Sequence, residues 1–263
     1  MFFIRGITCQ LILSIVMLFL VGCLSCLPQN AWGQFRYEQH AILQAPTPTV
    51  LDGFGFSVAS KGNTVVVGAP HSIRIRGGTG KVFLFNRETG NVTQVLSPSY
   101  SIGEDLFGMS VDLTDRFVIV GSPRAHGKTQ RATGRVSVFD QSNGKFIRDF
   151  VSPNSAAAVF GHAVATQGSL LAIGDPGADS SAHFKVGEVY VFELSSGKLV
   201  HKILAPEIPH GKANGFGHAL EFCGTVLAIS APLGGVEPLD HGLVYLFDVK
   251  SGALLNILLS PEP

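Results

Sequence analysis

The sequence repeats one set of landmarks four times, and this periodicity restricts the fold more than any other feature. The first landmark is a Phe-Gly pair that recurs about every 53 residues, at Phe54-Gly55, Phe107-Gly108, Phe160-Gly161 and Phe216-Gly217. The second starts fourteen residues after each Phe and reads Gly68-Ala69-Pro70, Gly121-Ser122-Pro123, Gly174-Asp175-Pro176 and Ser230-Ala231-Pro232. The third is Gly-x-Val-x-x-Phe, with ends at Gly80 and Phe85, Gly134 and Phe139, Gly187 and Phe192, and Gly242 and Phe247. A fixed period of this kind is the signature of repeat architectures.

The spacing within a copy predicts four strands, which we letter a to d. Strand a starts at the Phe-Gly pair, and a residue that tolerates positive φ follows eight residues after the Phe, at Gly62, Asp115, Gly168 and Gly224. Strand b is a continuous apolar run such as Val65-Val66-Val67, which indicates burial on both faces. The proline of the second landmark ends strand b, because proline cannot donate to a ladder.

Strands c and d complete the unit. Strand c carries the third landmark, a glycine five residues later turns the chain, and strand d runs to a closing proline at Pro98, Pro153, Pro206 or Pro261. Four-stranded units of about 50 residues in series are typical of a β-propeller. The sequence therefore predicts an all-β chain of four-stranded antiparallel blades, with repeats at about 54–98, 107–153, 160–206 and 216–261. We expect the eight repeated phenylalanines to fill the space between blades.

The first 34 residues read as a signal peptide that precedes the repeat domain, 35–263. Arg5 is their only charge, and Leu11 to Leu24 forms an apolar run of the length of a signal-peptide core. Ala31-Trp32-Gly33 has the form of an ordinary cleavage site, whereas Leu20-Val21-Gly22-Cys23 resembles a lipobox whose Cys23 would be lipidated. Both alternatives predict a protein outside the cytoplasm, either secreted, periplasmic or lipid-anchored at the cell envelope, with the membrane contacted only through that anchor.

Charge and composition exclude two classes of protein. With 19 basic and 19 acidic residues the formal net charge is zero, and 46% of the residues are hydrophobic. An intrinsically disordered chain combines low hydrophobicity with a high net charge. A nucleic-acid-binding domain needs a strongly basic face. Cys223 is the only cysteine after the leader, so no disulfide within the repeat domain is expected.

The landmarks resemble the FG-GAP repeats of integrin α-subunit propellers and of bacterial secreted proteins. The first copy shows the pattern best, and the fourth departs from it where Ser230 replaces glycine. The resemblance implies a propeller that recognises proteins or other macromolecules and has no chemistry of its own. Integrin-type repeats often hold calcium between strands a and b. Here that turn is too short and offers at most Asp112 and Asp115, so no metal site is expected.

The connections between strands b and c, and between strands d and a, are the longest and most variable, and they predict the recognition face. Binding residues concentrate on variable loops that a rigid scaffold holds. In the first two copies the b–c loops are basic, with Arg135 just beyond them: Arg74, Arg76, Arg124, Lys128 and Arg131. The last two hold acidic residues, namely Asp175, Asp179, Glu237 and Asp240. A protein or an anionic glycan is the expected partner, and solvated loop charge is the alternative.

No catalytic constellation, cofactor motif or nucleic-acid motif is recognisable, so the chain is expected not to be an enzyme. Two alternatives stay open. Residues 192–198 resemble quinoprotein propeller repeats, although Trp32 is the only tryptophan, and a purely structural envelope protein fits as well. His162 and His218 occupy one repeat position and predict packing rather than a metal pair. Asp175 is expected to cap a turn through its neighbouring backbone.

The segment from Tyr37 to Pro46 matches the strand-d pattern of residues 199–206, which gives five segments of type d for four sets of a, b and c. Three explanations are open: a fragment, an open array that a second chain completes as a homo-oligomer, or a small ring with one displaced outer strand.

Overall fold

The computed structural model describes residues 42–46, 52–70, 79–101, 103–126, 132–153, 159–178, 186–207, 211–212, 215–236 and 242–260. The leader, with Cys23 and Trp32, lies outside these ranges. Every element of regular structure in the described ranges is a strand, and all of them belong to the compact unit Leu43–Pro263. None of the described residues forms a helix long and apolar enough to cross a membrane. The prediction of an all-β chain is confirmed.

The strands form four antiparallel sheets of four strands each, in the order a-b-c-d within every sheet, which we call blades 1 to 4. Blade 1 comprises β1 (Ser57–Lys61), β2 (Thr64–Ala69), β3 (Lys81–Asn86) and β4 (Val92–Leu96). Blade 2 comprises β5 (Ser110–Leu113), β6 (Phe117–Ser122), β7 (Arg135–Asp140) and β8 (Phe146–Val151). Blade 3 comprises β9 (Ala163–Gln167), β10 (Leu170–Asp175), β11 (Glu188–Glu193) and β12 (Leu199–Leu204).

Blade 4 is interrupted by a small ribbon. Its strands are β14 (Leu220–Cys223), β15 (Val226–Ala231), β17 (Leu243–Asp248) and β18 (Leu254–Leu259). The ribbon pairs β13 (Gly211–Lys212), which precedes the blade, with β16 (Gly235–Val236), which follows strand b. Two residues per strand carry no apolar alternation, so the sequence pattern did not predict this ribbon.

The Phe-Gly pairs stand in a turn before strand a rather than in the strand, so the predicted start of strand a was wrong. In blade 2, Met109 N donates to Leu106 O (3.0 Å) across the pair, and Gly108 has φ 91°. Gly108 N then donates to Gly121 O of strand b (3.0 Å). The glycine is needed because a side chain seldom adopts that φ, and strand a follows from Ser110.

The a–b turns follow the prediction in three blades and depart from it in blade 2. Gly62, Gly168 and Gly224 have φ 59°, as a tight two-residue hairpin requires. Asp115 does not have a positive φ, although the turn also has two residues and is closed by the bond from Thr114 N to Phe117 O (2.9 Å). Thr114 Oγ1 accepts hydrogen bonds from Arg116 N (3.2 Å) and Phe117 N (2.9 Å), and this replaces the positive φ.

Six of the eight repeated phenylalanines fill the spaces between consecutive blades, as predicted, whereas Phe54 and Phe85 pack on the outer face of blade 1. Phe107, Phe160 and Phe216 are fully buried, each in a cluster with strands b and c of the preceding blade. Phe107, for example, shares a cluster with Val66 and Val82 of blade 1. Its ring also meets Phe139 of its own blade edge-on, with centroids 5.9 Å apart. The pair formed by Phe107 and Phe139 of blade 2 therefore packs against the facing side of blade 1.

The two ends of the stack differ. Leu43 and Ala45, from the segment that resembles strand d, pack on the outer face of blade 1 with Phe83 and Phe85. Residues 42–46 do not form a strand, and the rest of that segment lies outside the described residues. On the outer face of blade 4, residues such as Val244 and Leu246 are only half buried. Within the described ranges no hydrophobic cluster joins blade 4 to blade 1.

Candidate recognition face

Antiparallel order places the connections on two sides of the sheets. The a–b and c–d turns, for instance 114–116 and 141–145, lie at one end of the strands, which we call the turn side. The b–c and d–a connections, for instance 123–134 and 97–109, begin and end at the other, which we call the loop side. Because the short turns have nearly the same lengths in all four blades while the long connections differ, the loop side is where the repeats diverge most.

The structure places only one of the predicted ligand-face residues. Arg124 is exposed on the loop side of blade 2, and its N–H donates to Asp105 O (3.2 Å) in the preceding d–a connection. The remaining seven lie outside the described residues, and their placement remains a prediction: Arg74, Arg76, Lys128, Arg131, Asp179, Glu237 and Asp240. His126 and Ala132 form a bridge that closes the base of the loop carrying Lys128 and Arg131.

Arg135 does not belong to an exposed basic sector, which corrects the sequence interpretation. Only 7% of the residue is exposed. Its Nη2 donates to Tyr100 O (2.6 Å) and lies 3.4 Å from Asp105 Oδ2, while Nη1 lies 3.8 Å from Asp149 Oδ2. Arg135 therefore ties the d–a connection to strands c and d of blade 2. The sequence does not show this role, because the partners of Arg135 come from distant segments of the chain.

Asp175 plays the corresponding part in blade 3 with an acidic side chain. It is fully buried at the end of strand b, and its Oδ1 accepts a hydrogen bond from Val159 N (2.8 Å) in the d–a connection. It also accepts from the backbone of Gly177, as the predicted turn cap requires. The bond to Val159 was missed, because it spans sixteen residues of chain. Asp175 thus fastens both connections of blade 3 to the sheet.

The surroundings of Asp175 favour its protonated form. Burial raises the pKa of Asp175 to about 7, and the neighbouring Glu188 carboxyl adds to the rise. Glu188 lies opposite it in the β10–β11 register and is itself buried. Glu188 in turn accepts hydrogen bonds from Tyr190 Oη and from Lys202 Nζ, the latter at 2.9 Å. Asp175 therefore gains or loses its proton near neutral pH, at a position beneath the loop side.

His162 and His218 are in contact, with ring centroids 4.6 Å apart. Burial, followed by the nearness of His218, lowers the pKa of His162. The sequence placed both at one repeat position but not against each other. The described residues contain no group of three or more His, Cys, Asp or Glu that could hold a metal ion.

The two aspartates of the blade 2 turn have other partners. Asp112 Oδ2 accepts hydrogen bonds from Thr166 N (2.6 Å) and Thr166 Oγ1 (2.8 Å), and so connects blade 2 to blade 3. Asp115 lies 3.4 Å from Lys61 Nζ of blade 1. Both carboxylates serve contacts between blades, and the expectation that these turns bind no calcium stays a prediction.

Comparison with known proteins identifies the repeat. No curated protein matches the sequence significantly. Residues 37–85 match the family model described as FG-GAP repeat. That match begins in the segment that resembles strand d and ends with strand c of blade 1, so the family unit runs d-a-b-c. Residues 37–85 therefore contain an FG-GAP repeat, and the three further blades carry the same sequence landmarks.

Proposed function

We propose that the chain is a recognition module outside the cytoplasm that binds a protein or an anionic glycan through its loop side. One observation carries the proposal. In blades 2 and 3 a buried ionisable side chain, Arg135 or Asp175, anchors the connections of the loop side to the sheet. Variable loops on a rigid base are how scaffolds present binding residues.

The family supports a role in binding rather than catalysis. FG-GAP propellers are generally non-enzymatic, and FG-GAP repeats occur in extracellular proteins. The charges of the b–c loops favour an anionic partner at blades 1 and 2, because opposite charge accelerates association and selects partners. Arg124, the member of that group that the structure describes, is exposed.

The test is binding to heparin as a model anionic glycan. The full chain should bind immobilised heparin and elute with salt. Replacement of Arg74, Arg76, Arg124 and Arg131 by serine should abolish retention. A control variant removes four cations of the turn side, Lys61, Arg87, Lys198 and Lys250, and should elute as the wild type does. Equal retention of the two variants would refute the loop side as the recognition face.

The proposed cellular location rests on the leader and has its own test. Metabolic labelling with a radioactive fatty acid should mark the chain if Cys23 is lipidated, and Cys23→Ser should lose the label. An unlabelled chain whose mature form starts at Gln34 would instead establish ordinary secretion. A full-length chain retained in the cytoplasm would contradict both.

A further inference from the structure

A groove lies on the turn side at the junction of blades 2 and 3, opposite the loop side. Its volume is about 370 Å³, within the range of small-molecule sites. The buried side chains of Val138 and Leu194 line it, together with Phe117 and the partly exposed Ile147. Phe117 and Ile147 therefore offer apolar surface that a ligand can cover, above the buried Val138 and Leu194.

Three cations stand around this apolar surface: Arg116, Lys145 and Arg148. None of them lies within 4.0 Å of a carboxylate oxygen among the described residues. The Arg116 guanidinium sits 5.0 Å from the ring centroid of Phe117, which orients it at the edge of the groove. Guanidinium groups match the geometry of carboxylate, sulfate and phosphate oxygens.

The one acidic residue of the groove lining is already engaged. Asp140 Oδ1 accepts hydrogen bonds from Ser142 N (2.9 Å) and Ser142 Oγ (2.5 Å) in the c–d turn. These bonds hold the pKa of Asp140 below its usual range, so it stays ionised. Three positive charges and one negative charge leave the groove with an excess of positive charge.

The position of Arg148 is fixed by the next blade. A Cβ on Gly197, in the c–d turn of blade 3, would stand 2.5 Å from Arg148 Nη1, so the glycine leaves room for the guanidinium. The same contact recurs at the other junctions, where Gln94 lies against Gly144 and His201 against Gly252. At each of the three junctions the side chain at this position thus lies against a glycine of the next blade, and only blade 2 has an arginine there.

The blade 1 junction shows that the fold does not require these cations. By strand register, Arg116, Lys145 and Arg148 correspond to three neutral amides in blade 1, namely Asn63, Asn91 and Gln94. Gln94 makes a structural contact instead, since its Nε2 donates to Gln141 O (2.9 Å). The basic set is therefore a property of one junction and not of the repeat.

We propose that the groove between blades 2 and 3 binds a small amphiphilic anion, an oxyanion carried on an apolar skeleton. The apolar part covers Phe117 and Ile147 above the buried Val138 and Leu194, and the oxyanion meets the guanidinium groups of Arg116 and Arg148. Low-dielectric walls strengthen that charge pairing. The site is independent of the proposed function, because it lies on the other side of the blades.

The experiment uses naphthalene-2-sulfonate as the probe, with calorimetry on the full chain. We expect saturable binding at one site that weakens with salt. Inorganic sulfate, which lacks the apolar part, and 2-naphthol, which lacks the charge, should each bind at least tenfold more weakly. Absence of saturable binding of the sulfonate overturns the proposal, as does equal affinity for sulfate alone or for 2-naphthol.

The variant that tests the residues takes its side chains from blade 1. Arg116→Asn, Lys145→Asn and Arg148→Gln together should weaken sulfonate binding at least tenfold and leave the melting temperature nearly unchanged. The control replaces three exposed cations of other c–d turns, Arg87, Lys198 and Lys250, by asparagine, and should keep the wild-type affinity. Equal affinity of both variants overturns the proposal. Methyl NMR supplies a second readout, since shifts on binding must include Val138 and Leu194; shifts confined to other methyls also overturn it.

Discussion

Gly174 of blade 3 stands so close to Gly217 of blade 4 that a Cβ on Gly174 would lie 2.0 Å from the Gly217 carbonyl oxygen. The two preceding junctions repeat this relationship. A Cβ on Gly68 would lie 2.1 Å from the Gly108 carbonyl oxygen, and a Cβ on Gly121 would lie 2.1 Å from the Gly161 carbonyl oxygen. Strand b and the Phe-Gly turn of the next blade therefore touch backbone to backbone. The second landmark needs its glycine because of this contact. In blade 4 the equivalent residue is Ser230, which lies on the outer face, where no described blade packs against it.

Gly174→Ala is accordingly expected to destabilise the fold. Real Cβ atoms do not approach a backbone oxygen this closely, so the blades must separate, at a cost of about 2–3 kcal/mol in the free energy of unfolding. Urea denaturation measures it. Ser230→Ala is the matched control and should change stability by less than about 1 kcal/mol. Equal effects at both positions would contradict the close junction.

Phe107→Ala should cost about 3–5 kcal/mol, because it empties a fully buried aromatic site between blades 1 and 2. Phe56, which is 56% exposed, provides the comparison in the same chain. Phe56→Ala should stay within about 0.5 kcal/mol of the wild type. Thermal unfolding of the two variants separates these outcomes, and an unchanged transition for Phe107→Ala would refute its assigned place.

Asp175 makes stability depend on pH in a direction opposite to that of most carboxyl groups. Its pKa is about 7 in the folded protein against 3.8 for a free side chain, so the folded state binds the extra proton between these values. The stabilising contribution is complete below about pH 4 and is lost as pH rises to 7. Asp175→Asn removes the titration while keeping an acceptor for Val159 N.

The measurement is the difference in unfolding free energy between Asp175→Asn and wild type across pH 4 to 8. That difference should shift in favour of the variant by a few kcal/mol as pH rises, on the order of 1.4 kcal/mol per unit of pKa. The subtraction cancels the carboxyl groups that do not interact with Asp175. One of these is Glu193, whose pKa is lowered to about 2 by hydrogen bonds within its turn. A constant difference would show that Asp175 is ionised throughout.

Arg135→Met should destabilise by about 3–5 kcal/mol, since it leaves the buried Asp105 without its cation. The double variant with Asp105→Asn should recover part of the loss, because the uncompensated charge is removed. The control is Arg116→Met, which replaces an exposed arginine and should leave the free energy of unfolding, measured by chemical denaturation, nearly unchanged. No recovery in the double variant would mean that the two side chains do not interact.

The sequence alone was sufficient for the blades. Glycines with positive φ, prolines that end strands and paired phenylalanines recur because each does the same physical task in every copy. Where one copy stabilises the same turn with other residues, the repeat pattern predicts the wrong local conformation. The turn at Asp115 was predicted as a glycine-like hairpin, but Thr114 supplies hydrogen bonds instead.

The candidate site was less accessible to sequence reasoning, for a physical reason. Asp175 stands where the other copies hold alanine or serine, and Arg148 stands where they hold an amide or histidine. The partners of Arg135, Asp175 and Arg148 come from other strands or from the next blade, which the sequence does not show. Comparison of the four copies does give one signal, because a charged side chain at a position where the other copies hold alanine or an amide is not needed for the repeat fold itself.

The most direct test of the account is an NMR measurement of distances between blades. In a sample with labelled Val methyl groups and aromatic rings, the ring of Phe107 should give cross-peaks to Val66 and Val82, and the ring of Phe216 to Val189 and Val191. These pairs join consecutive repeats. If the rings show cross-peaks only to residues of their own repeat, the blades do not stack on their Phe-Gly turns, and the account is wrong.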